Sequence, residues 1–254
     1  MDGTMYSWRM TELNTEFKLV EEALPDIEEH EALVLIAGCG VCHTDLSFWH
    51  YGVKTKKELP LTLGHEISGR VIVGPEQWVG KKVIIPAVLP CGECELCKKG
   101  RSNMCQKQLM PGNDFHGGFA SHIKVPARFL CAVSEKVLDK YPLMHLAVVA
   151  DAISTPYQVV KKSELESGDL AIVIGVGGVG IYAALIAKIM GAKVIAIDID
   201  EEKDVCVGTG GEWPVVSGQR SAFSYQLLVF SHFLLSRIKA VRFLSVLEFF
   251  HNIS

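Results

Sequence analysis

The chain has 254 residues, 49% of them hydrophobic and 21% charged, with a formal net charge of −4. That length holds one large domain or two ordinary ones, and the composition supports a sizeable soluble core. The acidic balance argues against a nucleic-acid binder, which needs a basic surface, and Met1–Asn14 contains no apolar leader or span, so the expected setting is cytoplasmic.

Strands are predicted at Phe17–Val20, Ala32–Ala37, Ser68–Val73, Lys82–Ile85 and Ala120–Val125, with Gly69, Gly74, Gly80, Pro86 and Pro90 as punctuation. No long helical period precedes residue 136, so this half reads as a β-barrel-like domain with functional loops. Between Gly38 and Glu66 lie Cys42-His43-Thr44-Asp45 and Gly64-His65-Glu66. Cysteine and histidine are the ligand types zinc prefers, and a carboxylate can complete the set.

Cys91, Cys94, Cys97 and Cys105 follow as Cys-x2-Cys-x2-Cys-x7-Cys. Four thiols so close together are poorly placed to staple distant elements. They can reach the corners of a tetrahedron from one loop and close the shell, which makes a structural metal site. Lys98, Lys99 and Arg101 in the same loop would offset the charge of a four-thiolate zinc complex. Asp114–Ala120 is a glycine turn entering a strand, and His116 and His122 are read as loop or surface histidines.

From Met144 to Asp151 the chain is apolar and predicted helical. The continuous apolar strand Leu170–Ile174 then runs into Gly175-Val176-Gly177-Gly178-Val179-Gly180, a helix at Ile181–Met190, and a second buried strand ending at Asp198. This is the context in which a G-x-G-x-x-G turn binds a dinucleotide. Gly175 permits the tight turn, Gly177 admits the pyrophosphate, Gly180 lets helix and strand pack, and the helix N-terminus faces the phosphates. Asp198 would accept the adenosine ribose hydroxyls and, with Ile199, Asp200 and Glu201 following and no basic residue, favours NAD over NADP.

With these motifs in order, the chain resembles the zinc-dependent medium-chain alcohol dehydrogenases over roughly residues 6–203. The resemblance implies an α/β plus β fold: a GroES-like catalytic domain at 1–153 with its zinc lobe at 91–105, then a Rossmann domain, a doubly wound parallel sheet, from 154. It implies two zinc ions per chain, one catalytic and one structural, with NAD as coenzyme and a small-molecule alcohol as substrate. Relatives are often homo-oligomeric.

By the same resemblance Cys42 and His65 are catalytic zinc ligands, and Asp151 stands where the third ligand is usually a cysteine. Glu66 is an additional ligand when substrate or water leaves, and Asp45 orients His65. Thr44 takes the alcohol proton, His43 lies near the coenzyme pyrophosphate and Thr155 near the nicotinamide; Gly178 belongs to the coenzyme turn. The relay histidine of the family falls near Ser47 here, and Cys39 is a packing residue. The runs Ala37–Leu46, Leu61–Gly69, Pro111–Asp114, His116–His122 and Val149–Gln158 are similar to the branch oxidising 6-hydroxycyclohex-1-ene-1-carbonyl-CoA in anaerobic benzoyl-CoA degradation. That branch implies a cyclic secondary alcohol bearing a CoA thioester, with Lys54, Lys56 and Lys57 placed for its phosphates. The alternatives are another secondary alcohol or polyol, or an inactive zinc-binding fragment.

After Lys203 the family pattern stops. Residues 204–254 read as a non-family tail from truncation or a frameshift, leaving a Rossmann sheet of two strands. The expectation is therefore a zinc-loaded lobe with poor or absent turnover.

Overall fold

The computed structural model describes residues 3–198, 215–217 and 241–245. They divide into two units, Met1–Asp151 and Ala152–Ser254.

The first unit is built from β1 (Thr4–Met10), β2 (Lys18–Ala23), β3 (Glu31–Gly40), β4 (Leu61–Thr62), β5 (Glu66–Val73), β6 (Lys82–Ile85), β7 (His122–Pro126) and β8 (Cys131–Ala132). Two antiparallel sheets result, a small one in the order β2-β1-β4 and a larger one in the order β7-β3-β5-β6-β8. The period of two is clean on β6 and β7, where Val83, Ile85, Ile123 and Val125 face inward against Ile67 and Val71 of β5. Register shifts between Leu33 and Val34 and between Ile36 and Gly38 interrupt the β3–β5 ladder. Past them β3 continues into the zinc motif.

Three short helices belong to this unit: α1 (His43–Trp49), α2 (Glu95–Lys98) and α3 (Glu135–Leu138). A second core of Met10, Phe48, Leu61 and Leu63 ties α1 to the small sheet. The Phe17 ring stands edge-on to Trp49, with centroids 6.4 Å apart.

Three local expectations change. β1 has no counterpart among the predicted strands because only Ser7 and Met10 are buried while Tyr6 and Trp8 stay exposed, so no alternation of apolar and polar residues marks it. α1 was masked by its brevity, seven residues, where periodicity cannot speak. The predicted helix at 144–151 is a run of 3-10 turns over Leu143–Ala150. It is held by the Ser68 hydroxyl, which donates to the Leu143 carbonyl at 2.7 Å, and it lies so close to β3 that a Cβ on Gly38 would stand 2.6 Å from the Met144 carbonyl oxygen.

The second unit carries α4 (Ser154–Lys162), β9 (Leu170–Ile174), α5 (Gly178–Ile189), β10 (Lys193–Asp198), β11 (Val215–Ser217) and β12 (Val241–Ser245). The described strands of this unit are parallel, in the order β11-β10-β9-β12. Leu170–Val173 is buried throughout, as a central parallel strand covered on both faces requires. α5 presents Gly180, Ala183, Ala184 and Ala187 on one stripe, small residues that let it sit close to Val173 and Ala196.

The expected two-stranded sheet is corrected here. β11 extends the sheet beyond β10, and β12 pairs with β9 on its other side, with Val241 opposite Leu170 and Ser245 opposite Ile174. The strand order thus reverses beside β9, the arrangement of a doubly wound fold. The rest of 204–254, on which the expectation of a foreign tail falls, lies outside the described residues. Among the described residues no single helix is long and apolar enough to cross a membrane.

Candidate metal and coenzyme sites

In the 91–105 loop the four sulfurs converge. Sγ–Sγ distances are 4.0 Å for Cys91–Cys97, 3.5 Å for Cys94–Cys97, 3.8 Å for Cys94–Cys105 and 3.5 Å for Cys91–Cys105. A tetrahedral shell with Zn–S bonds of about 2.3 Å has edges of about 3.8 Å, so the loop already has the dimensions of a four-thiolate zinc complex. α2 starts directly after Cys94 and turns Cys97 back toward it. Backbone donors help charge the sulfurs: the N–H groups of Glu93 and Cys94 pull the Cys91 thiol down to about 6, while burial and the neighbouring Cys94 push Cys97 up to about 12.

The second cluster joins Cys42, His65, Glu66 and Asp151, with one ligand atom of each within 4.8 Å of all the others. Cys42 stands at the N-cap of α1, His65 and Glu66 at the entry to β5, and Asp151 just past the 3-10 turns. The Cys42 sulfur lies 3.9 Å from Asp151 Oδ2, and His65 Nε2 lies 3.4 Å from the same oxygen. His65 is 1% exposed, and neither ring nitrogen makes a hydrogen bond of ordinary geometry. Burial pulls His65 down, but Asp151, Asp45 and the Cys42 thiol together outweigh it and hold the imidazole up to about 12. A buried ring with two orphaned nitrogens, ringed by a thiol and carboxylates, fits a divalent cation in chemistry and in charge.

Asp45 binds this cluster to the fold. Its Oδ2 accepts the Cys42 N–H at 2.9 Å, its Oδ1 accepts the Gly64 N–H at 3.0 Å, and Oδ1 lies 3.6 Å from His65 Nδ1. The first bond is one arm of a capping box: Cys-x-x-Asp here does what Ser-x-x-Glu does elsewhere. Gly40 is a site residue that sequence reasoning passed over, since a Cβ there would collide with Glu66 Oε2. Thr44 is half-buried with its hydroxyl oxygen 3.8 Å from the Cys42 sulfur. Cys39 faces inward against the Gly64 turn, and burial pushes its thiol far up, in keeping with a packing role.

In the second unit Gly175 adopts φ +86° and donates its N–H to the Ile197 carbonyl at 2.7 Å. The glycines separate into two groups. A Cβ on Gly180 would strike the Gly175 carbonyl oxygen, so the fold itself requires that glycine. At Gly177 and Gly178 a Cβ would meet nothing within 4 Å, and neither position has a positive φ. That space is a cradle a side chain would fill, ahead of the α5 N-terminus, and it fits a phosphate-bearing coenzyme. Asp198 is buried at the β10 end, where Oδ2 accepts the Val176 N–H at 2.7 Å. Ile199, Asp200 and Glu201, invoked for coenzyme preference, lie outside the described residues. Gly180→Ala is expected to lower stability by about 1–3 kcal/mol through overpacking, even though alanine is the better helix former by about 1 kcal/mol. Gly178→Ala should leave the urea midpoint in place while weakening NAD binding in a titration.

The remaining predicted residues are placed as follows. His43 is exposed at the start of α1, its ring 6.0 Å from Tyr51, and Thr155 lies in the first turn of α4, in the other unit. Ser47 donates to the His43 carbonyl at 3.0 Å, and His50 bonds Asn14 through Nδ1. Lys56 pairs with Asp114 at 3.0 Å, which occupies one of the three lysines assigned to CoA phosphates. His116 and His122 have local partners: the Thr62 N–H at 3.2 Å and the Ser121 hydroxyl at 2.9 Å.

Residues 28–135 match the alcohol dehydrogenase GroES-like domain family. An alcohol dehydrogenase of Geobacillus stearothermophilus is 37% identical over 199 residues, covering 76% of this chain and 58% of its own length. L-galactonate-5-dehydrogenase of Escherichia coli is 30% identical over 216 residues, covering 82% of this chain and 60% of its own length. The crystal structure of the alcohol dehydrogenase of Aeropyrum pernix superimposes with a TM-score of 0.76 at 31% identity, covering 88% of this chain and 68% of that one. The chain thus spans somewhat more than half the length of the curated relatives it matches. On these matches the chain belongs to the zinc-type medium-chain alcohol dehydrogenase family.

Proposed function

We propose that the chain serves NAD-linked oxidation of a secondary alcohol, with zinc held by Cys42, His65 and Asp151. The observation that carries this reading is the convergence of Cys42, His65, Glu66 and Asp151 within 4.8 Å in a chain of this family. Zinc bound there supplies a Lewis acid that lowers the pKa of an alcohol, and NAD supplies the hydride acceptor.

The protein's own groups do the rest. Asp45 fixes the direction of the His65 ring and the start of α1 at once. The half-buried Thr44 hydroxyl accepts the alcohol proton while passing its own outward to water, and this transfer precedes hydride loss because an alkoxide is the better hydride donor. Glu66 offers a further carboxylate when the substrate departs. Gly175, Gly177 and Gly178 admit the coenzyme pyrophosphate, Asp198 faces the ribose, and His43 and Thr155 serve as coenzyme contacts. The lobe cysteines hold the second zinc, away from chemistry.

The finer reading is a cyclic secondary alcohol carrying a CoA thioester, supported by the similarity of Ala37–Leu46 and the other runs to that branch. The pairing of Lys56 with Asp114 leaves Lys54 and Lys57 for its phosphates. A polyol or sugar acid is the second reading, supported by the 30% identity to L-galactonate-5-dehydrogenase. The test offers the zinc-loaded chain NAD with cyclic alcohols, each with and without a CoA thioester, and with a polyol series, following NADH absorbance. NADH formed only with the thioesters favours the first reading, and NADH formed with polyols favours the second. A chain that binds zinc and NAD yet oxidises none of these alcohols would overturn the activity.

A further inference from the structure

The segment Gly112–Ser121, which contains the glycine turn Asp114–Ala120, grips the turn that delivers His65. Four hydrogen bonds run between them in succession. The Thr62 N–H donates to His116 Nδ1 at 3.2 Å, the Gly117 N–H to the Thr62 carbonyl at 2.7 Å, the Phe119 N–H to the Leu63 carbonyl at 2.9 Å, and the Gly118 N–H to the Gly64 carbonyl at 2.8 Å. On its other side the segment is pinned to β1, where the Trp8 N–H donates to the Phe119 carbonyl and the Ser121 N–H to the Tyr6 carbonyl, both at 2.8 Å.

Room for this grip comes from missing side chains. A Cβ on Gly117 would collide with the Gly64 carbonyl oxygen and stand 2.7 Å from both the Leu63 carbonyl oxygen and the Gly112 nitrogen. A Cβ on Gly118 would press on Ile67 and, at 2.8 Å, on the Cys39 sulfur. Neither glycine has a positive φ, so close approach alone demands them. Every obstacle at Gly117 is backbone, and most of it belongs to the two residues before His65. That backbone cannot move without carrying the His65 ring and the Gly64 N–H that Asp45 accepts.

We propose that Gly117 is a positioning residue for the metal site, setting its affinity by fixing the Leu63–Gly64 backbone behind His65. The inference rests on the reading of Cys42, His65 and Asp151 as metal ligands. Its neighbour Gly118 contributes less, because its obstacles are side chains that can yield.

The test is a cobalt(II) titration of the metal-depleted chain, read by thiolate-to-cobalt charge-transfer absorbance, with His65→Ala used to assign the two sites. Wild type is expected to bind two equivalents. Gly117→Ala should weaken the Cys42 site alone by about 10–100-fold, the range seen when groups supporting a metal ligand are lost, with the four-cysteine lobe unchanged. Val125→Ala, a cavity in the same unit's core, should lower the thermal midpoint and leave both affinities in place; that separates positioning from general loss of stability. Equal affinity in Gly117→Ala and wild type, or an equal loss at both sites, overturns the inference. So does a comparable loss in Val125→Ala. If Gly117→Ala does not fold, Gly118→Ala carries the same comparison, with a smaller site-selective loss expected and no selective loss as the contrary result. A wild-type chain that binds only at the lobe refutes the metal reading of Cys42 instead.

Discussion

Cys105→Ser is expected to reduce zinc content from two equivalents to one and to unfold the 91–105 loop. Cys105 is 3% exposed, and its sulfur touches those of Cys91 and Cys94 and accepts the Cys91 N–H at 3.3 Å. The loop has little else to hold it: α2 is four residues long and none of them is buried. A structural zinc contributes on the order of 10–16 kcal/mol at neutral pH in small metal-folded peptides, far more than this loop's contacts could replace. Serine matches the shape of cysteine but is a poor ligand for zinc. Metal analysis and proteolysis of the loop would register the change, and the Cys42 site should keep its ion. A variant that retained two zinc ions and a protease-resistant loop would show that three cysteines suffice.

His65→Ala is expected to remove the other zinc and to destabilise the first unit by about 3–5 kcal/mol, the range for stripping one partner from a buried charge cluster. The ring is 1% exposed between Asp45 and Asp151, with Glu66 beside it in the chain. Without the ring, Asp45 and Asp151 lose the imidazole nitrogens that lie 3.6 and 3.4 Å from them. Asp45 keeps its two backbone donors, the Cys42 and Gly64 N–H groups. Urea unfolding of the first unit, followed by the fluorescence of Trp49 and its neighbours, measures the loss. Unchanged zinc content would remove His65 from the ligand set.

Much of the site could be read from the sequence because its chemistry is local. The four-cysteine spacing, the glycine turn between two apolar strands and the Cys42 and His65 motifs each announce themselves within a few residues. What could not be read depends on contacts across the chain. Nothing near Gly38 or Gly40 says that one must admit Met144 and the other the Glu66 carboxylate. α1 was hidden because its start signal is written with cysteine rather than serine. β12 was hidden because Val241–Ser245 sits within the apolar run from Phe223 to Phe250, which no glycine or proline divides into strands.

The two metal clusters also differ in how much chain each must close. The lobe brings together sulfurs 14 positions apart at most, whereas Cys42 meets Asp151 across 109 positions. Loop-closure entropy favours the shorter span by about 2 kcal/mol, before any of the barrel contacts that bring Asp151 into place are counted. The lobe can therefore capture zinc on a chain that is still unfolded, while the Cys42 cluster has to wait for the barrel. Zinc added below one equivalent to a refolding chain is therefore expected to enter the lobe first.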